Sequence, residues 1–402
     1  MTFQGRVGAV NRLTARWAAT TEGGTVCSAV GVWPLLAYLA DGAAGAARAE
    51  LAEALGVAAD QAATAASELL GALDAVPGLD AALGLWTHAT MRLREDWRAT
   101  LPAGTHGTFG DDLDAAQEKL DAWAAERTGG LVERLPVQLT RGARMVLASA
   151  LALRTDWQQP FTETLLRPDT GPWRRRDLLG LRRRSARPED VEVAETPDGL
   201  VTGLGVHGDN GIDVHLVIGA ERMTPGQVLT AGIRIVTGTL TATDGGRLSV
   251  GHTGPGLRVE REPAGTPESR TLDVRTVAYE VRADHDLLKR HALFGLTTAR
   301  GHRRGHFPGV SESPLAIGAA RQSALARFGA RGFHAAAVTA IMARPGSAPR
   351  HHHEATVVRV SLDRPFGFLA VHRESRLVLV AGWVTDPAPY RAPTPPGGAV
   401  TR

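Results

Sequence analysis

LDRPFGFLAVHRESRLVLVAGWVTDP, residues 362–387, is the stretch on which the reading of the fold turns. Phe366 to Val371 and Leu377 to Val384 are apolar runs of strand length, rich in Val, Leu and Phe, and the polar residues 372–376 between them suit a hairpin turn. Val357 to Leu362, just upstream, reads as a third strand. Further back, Met145 to Leu153 is a continuous apolar run, which suits a strand covered on both faces. Val214 to Ile218, Arg247 to Val250 and Val277 to Val281 are shorter candidates.

The first third of the chain has a helical period instead. Val10, Leu13 and Trp17 share a face within Ala9 to Ala19, and Val30 to Leu39 is apolar all round. Ala47 to Leu55 follows, with Gly56 placed to cap it. Gln61 to Leu73 is amphipathic, and in Asp112 to Leu135 one face carries Leu113, Ala116, Leu120, Trp123 and Ala124 before Gly129-Gly130 interrupts. Pro225 to Ile233 and Leu287 to Leu293 are helices expected among the strands. No alternation of strand and helix and no internal repeat is visible, so the class is α+β. Residues 1–387 are expected to form a single domain, with a Pro/Gly-rich, disordered tail over 388–402.

Composition excludes more than it selects. The chain has 402 residues and is 43% hydrophobic and 22% charged, typical of a protein with a proper core. A net charge of +3 is too weak to argue for nucleic acid. Lys119 and Lys289 are the only lysines, so the basic residues are nearly all Arg, a bias that matches high-G+C bacterial coding. Cys27 stands alone, so no intrachain disulfide forms. The N-terminus lacks the apolar core of a signal peptide, and no run is long enough to span a membrane. A soluble, cytoplasmic monomer is expected, with secretion as the other option if a leader has been removed.

The closing stretch resembles the C-terminal signature of the serpins, the serine protease inhibitors. The Arg-Pro-Phe strand start is Arg364, Pro365 and Phe366, and the last strand ends with Gly382, Val384, Asp386 and Pro387. LDAWAAERTGGLVERLP (120–136) looks like the serpin helix that carries a Trp and a Thr-x-Gly turn. MVLASALALRTDWQQPF (145–161) looks like the strand after it, and residues 26–56 look like the buried second helix and its successor. The resemblance implies three β-sheets, about eight to nine helices and an exposed reactive-centre loop. It also implies an inhibitor rather than an enzyme, which lets a serine protease cut the loop and then inserts the cut loop into the main sheet.

By the same resemblance, GARGFHAAAVTA (329–340) is the hinge of that loop: Gly332, Phe333, His334, Ala335, Ala336, Ala337, Val338 and Thr339. Small residues suit a segment that must slide between packed strands, and Gly332 to Ala343 contains no Pro. Local propensity alone would make the alanine run a helix. Phe333 stands where a small residue is usual, so its entry into the sheet is expected to be a slow step that diverts inhibitor into substrate. The scissile bond is expected among Met342, Ala343, Arg344, Gly346, Ser347 and Arg350, which leaves subtilisin-, elastase- and trypsin-like targets open. The polar cluster that holds a serpin sheet shut maps onto Ser28, Gly31, Ser149 and Gln322, without the usual His and Asn.

Other constellations are weaker. His351, His352, His353 and Glu354 alternate faces on an extended chain, so no metal site and no cofactor is expected. GVSES at 309–313 lacks the second Gly of a nucleophile elbow. WRRRDLLGLRRRSAR (173–187) includes Arg174, Arg175, Arg176, Arg182, Arg183 and Arg184, read as a solvated hairpin or, as in some serpins, a polyanion patch. The alternative to an inhibitor is a non-inhibitory binding protein of the same fold, acting through that patch.

Overall fold

The computed structural model describes residues 2–135, 137, 139, 143–264, 270–301, 305–333 and 353–391. Its N-terminal helices are α1 (Phe3–Ala18), α2 (Trp33–Gly42), α3 (Gly45–Leu55), α4 (Ala59–Asp74), α5 (Glu95–Ala99) and α6 (Leu113–Arg127), and α7 (Pro225–Val236) lies among the strands. Gly56 ends α3 at φ +66°, as its position after the apolar face requires. α6 stops short of Leu135 because Gly129 and Gly130 turn left-handed, at φ +57° and +79°. Two expected helices are modified. Val30 to Leu39 splits into a 3-10 turn, Ala29–Gly31, and α2, which starts at Trp33 with Pro34 in its first turn, and Leu287 to Leu293 reduces to the 3-10 turn Leu287–Arg290.

Three sheets form the rest. The seven-stranded sheet has the order β1 (Thr25–Cys27), β18 (Leu377–Val384), β17 (Phe366–His372), β9 (Ile212–Gly219), β8 (Gly199–His207), β7 (Val191–Thr196) and β10 (Thr243–Asp244). The six-stranded sheet runs β11 (Thr253–Gly254), β12 (Leu257–Ala264), β16 (His353–Ser361), β13 (Arg270–Val277), β6 (Leu178–Ser185) and β5 (Thr162–Leu166). The five-stranded sheet runs β14 (Tyr279–Asp286), β15 (Ile317–Phe328), β4 (Met145–Leu153), β2 (Leu79–His88) and β3 (His106–Phe109).

Some expected strands fall elsewhere. Arg247 to Val250 is turn and loop between β10 and β11, and Val277 to Val281 straddles the break between β13 and β14. The chain stays ordered past Asp386. Ala388 accepts from Leu179 N (2.9 Å) and Tyr390 N donates to Asp177 O (3.0 Å), so the start of the supposed tail is stapled to the β6 region, while 392–402 lie outside the described residues.

β4 explains its own apolar run, because both faces are covered. Met145, Leu147, Leu151 and Leu153 enter the main core, whereas Val146, Ala148 and Ala150 lie with Leu120 and Ala124 of α6 in a separate small cluster. Large side chains therefore fill one face, and small ones give the other a low relief beneath α6. Among the described residues no helix is long and apolar enough to cross a membrane.

Candidate functional site

β4, the middle strand of the five-stranded sheet, and its interior neighbour β15 run parallel, from Ile317 opposite Met145 to Ala324 opposite Leu151. At the centre of this seam Gln322 stands opposite Ser149, and both are fully buried. The amide of Gln322 donates to Ser149 Oγ (3.1 Å) and to Ser28 O (2.8 Å), and its Oε1 accepts from Ser28 N (2.9 Å). Ser28 Oγ donates in turn to Leu379 O of β18, at 2.6 Å. Gly31 contributes absence: a Cβ there would sit 3.2 Å from both Gln322 Nε2 and Ser149 Oγ. The four residues assigned to the closing cluster thus meet in one place, each buried polar group partnered, and leaving one orphaned would cost about 1–3 kcal/mol.

The sequence reading missed one member. His285 of β14 stands opposite Gln322 and donates from Nε2 to Val26 O at 2.8 Å. Burial holds its pKa below the ordinary value, with Arg290 adding to the effect against the Val26 bond, so the ring is neutral and serves as a fixed donor. Its role depends on a contact 259 residues away in the chain, which no local pattern announces.

The segment read as the loop hinge begins beside the C-terminal ends of β4 and β15. Trp157 N donates to Arg331 O (2.7 Å), Phe161 N to Ala330 O (2.7 Å), and the Trp157 indole to Gly329 O (2.9 Å). Asp156 and Gly332 form an antiparallel bridge, and Phe333 N donates to Thr155 O at 2.8 Å. The Phe333 side chain is 1% exposed, its ring 6.0 Å from that of Phe368. The bulky residue expected to obstruct entry is already inside the core. His334 to Thr339, and the whole candidate scissile region 342–350, lie outside the described residues.

Comparison with known proteins matches this architecture. The profile of the serpin (serine protease inhibitor) family matches residues 10–170. Serpin-Z6C of Oryza sativa subsp. japonica is 24% identical over 401 residues, spanning 92% of each chain. The chain has the serpin fold and is similar to the serpin family over residues 10–170. Two solved structures share its fold: tengpin, a thermophilic serpin in the native state (TM-score 0.71, 14% identity, 96% of this chain and 94% of that one), and human thyroxine-binding globulin complexed with thyroxine (TM-score 0.70, 16% identity, 96% and 98%).

The segment after β4 is braced from behind by a charged cluster. Gln158 N donates to His207 O (3.0 Å) and its side-chain amide to Gly208 O (3.0 Å). His207 lies between two carboxylates, with Nε2 3.0 Å from Asp190 and Nδ1 3.0 Å from Asp213. Arg373 forks onto both oxygens of Asp213 (2.9 and 2.6 Å), and Arg187 lies 3.2 Å from Asp190. The bonds to Asp190 and Asp213 raise the His207 pKa to about 9, whereas desolvation lowers that of the neighbouring, half-buried His215 to about 4.

The Arg-rich stretch is not a free hairpin. Residues 178–185 are β6, inside the six-stranded sheet. Arg182 forks onto the buried Asp273 (3.2 and 3.0 Å), Arg184 pairs with Glu262 (3.0 Å) and Arg176 with Asp386 (2.6 Å). Arg183 is buried, donates to Gln159 O and sits 4.6 Å over the Phe161 ring. Arg174, Arg175, Arg182 and Arg184 are exposed, the last two already engaged by carboxylates, so the stretch offers a polyanion less than its composition suggests. Of the histidine run, His353 and Glu354 open β16 and Glu354 is engaged by Arg261 at 3.1 Å, while His351 and His352 lie outside the described residues.

Proposed function

We propose that this protein is a serpin that acts as a suicide-substrate inhibitor of serine endopeptidases, trapping its target by drawing the cut loop between β4 and β15. The observation that carries the reading is the antiparallel Asp156–Gly332 bridge at the mouth of a parallel seam. Continued along β4, that register sets Phe333 against Thr155, Ala335 against Leu153, Ala337 against Leu151 and Thr339 against Ser149. A strand so placed is antiparallel to both neighbours and gains ladder bonds worth about 0.5–1.5 kcal/mol each. Ala335, Ala337 and Thr339 would follow Phe333 onto the core face, and Ala336 and Val338 would face α6. The Thr339 hydroxyl would arrive at Ser149 and Gln322, where it can take up the polar groups that the opening seam parts.

The same register uses up β4 when Ala343 reaches Met145. A cut at Arg344 or beyond, such as Gly346–Ser347 or Arg350–His351, leaves enough chain for the whole strand, which an earlier cut at Met342–Ala343 does not. The test is incubation with subtilisin-, elastase- and trypsin-like proteases. A complex that survives SDS, joined through a residue between 344 and 350, is the expected result. Clean cleavage with every protease and no complex would instead support a serpin-fold binding protein, a reading to which the likeness to a thyroxine-bound globulin lends weight.

A further inference from the structure

We propose that a cleft between β2, β3 and α6, remote from the loop mouth, binds a small aromatic anion. The cleft has a volume of about 470 Å³, within the range of small-molecule sites. Its back wall is Trp86 of β2, only 4% exposed, and its flank is Trp123 of α6, half-buried and edge-on to Trp86 with ring centroids 5.9 Å apart. Two glycines make room for this pair. A Cβ at Gly107 would stand 2.5 Å from the Trp86 ring, and one at Gly84 would stand 2.6 Å from Trp86 Nε1 and 2.7 Å from Trp123. Trp86 Nε1 is buried with no hydrogen-bond partner in the structure. An orphaned indole N–H in a core wall is uncommon and costs stability.

The rim supplies the charge. Arg98, Lys119 and Arg127 line the cleft, against one carboxylate, Glu126. Among the described residues none of the three cations forms a salt bridge, and outside them the sequence holds a single further acidic side chain, Glu268. Lys119 Nζ sits 5.7 Å over the Trp86 ring, with only a long bond to Thr108 O (3.4 Å). His106 bonds Thr87 at 2.9 Å, and burial, with Arg98 adding to it, lowers its pKa, so it adds no charge. An inorganic anion would answer the cations and leave the indoles bare. A neutral aromatic would do the reverse. A flat ring carrying a carboxylate or sulfonate satisfies both.

Isothermal titration calorimetry with sodium 2-naphthoate, against 2-naphthamide as the neutral match, tests this. One saturable site should appear, with the naphthoate at least about tenfold tighter than the amide and weakening as salt rises. Lys119→Gln should weaken it about fivefold and Trp123→Ala about tenfold. Both positions are at least partly open to solvent, and circular dichroism with unchanged Tm verifies the fold. No naphthoate binding, equal binding of acid and amide, or unchanged affinity in both variants would overturn the proposal.

Discussion

The seven-stranded and five-stranded sheets are built on opposite plans. In the first, each neighbouring pair is antiparallel and the central strands are filled with Val, Leu, Ile and Phe, from Val214 and Leu216 of β9 to Phe366 and Phe368 of β17. In the second, two parallel strands meet at a seam held by a Gln, two Ser and a Gly, with Ala and Val on the face beneath α6. A sheet closed by interlocking hydrophobes has no interior place for another strand. Under the proposed mechanism the seam of the second sheet parts, and the incoming strand replaces the ladder and side-chain hydrogen bonds that it breaks.

The largest test of that contrast is Ala337→Arg, which sends a charge into the core between Leu151 and Ala324, facing residues across the seam. A buried unpaired charge costs several kcal/mol, so trapping should be abolished while the loop is still cut, as counted by SDS-stable complex per cleavage. Val214→Ala, at a fully buried site of β9, should lower stability and leave that ratio unchanged.

Phe333→Thr is the next in size. Because Phe333 is already 1% exposed in the uncut protein, losing it should cost about 2–4 kcal/mol in stability. The ratio of trapped to cleaved inhibitor should stay within twofold. A clear rise in trapping would restore Phe333 as an obstacle to entry. Gln322→Leu should cost about 2–4 kcal/mol in urea unfolding, since it orphans both backbone groups of Ser28.

The smallest effect is one of pH. His207 keeps its proton to about pH 9 when folded but loses it near 6.5 in the unfolded chain. Its stabilising contribution is therefore complete below about pH 6.5 and is lost as pH rises through 9. Tm should fall by a few degrees between pH 7.5 and 9.5, and His207→Gln should flatten that slope. An unchanged slope would detach the cluster from the stability of the mouth.

Legibility followed the range of the interactions. α1 to α4, β4, β17 and β18 were readable because their apolar period is local and strong. β2 was not, since LDAALGLWTH is rich in Ala and Gly and is a strand through its pairing with β4 and β3. β6 looked like a surface hairpin because its arginines find partners such as Asp273 and Glu262 about ninety and eighty residues on. The closing cluster was found through family likeness alone, as nothing local marks Gln322. The burial of Phe333 was not legible at all, because it depends on Thr155 and Phe368, distant in sequence.

The most direct test measures the width of the five-stranded sheet. Spin labels on cysteines introduced at Asp80 of β2 and Glu280 of β14 flank the seam, and the native Cys27, buried with its pKa pushed up to about 12, is protected from the label. Cleavage of the loop between residues 344 and 350 should lengthen the distance between the labels by one strand spacing, about 4.8 Å. An unchanged distance after complete cleavage would show that no strand enters between β4 and β15.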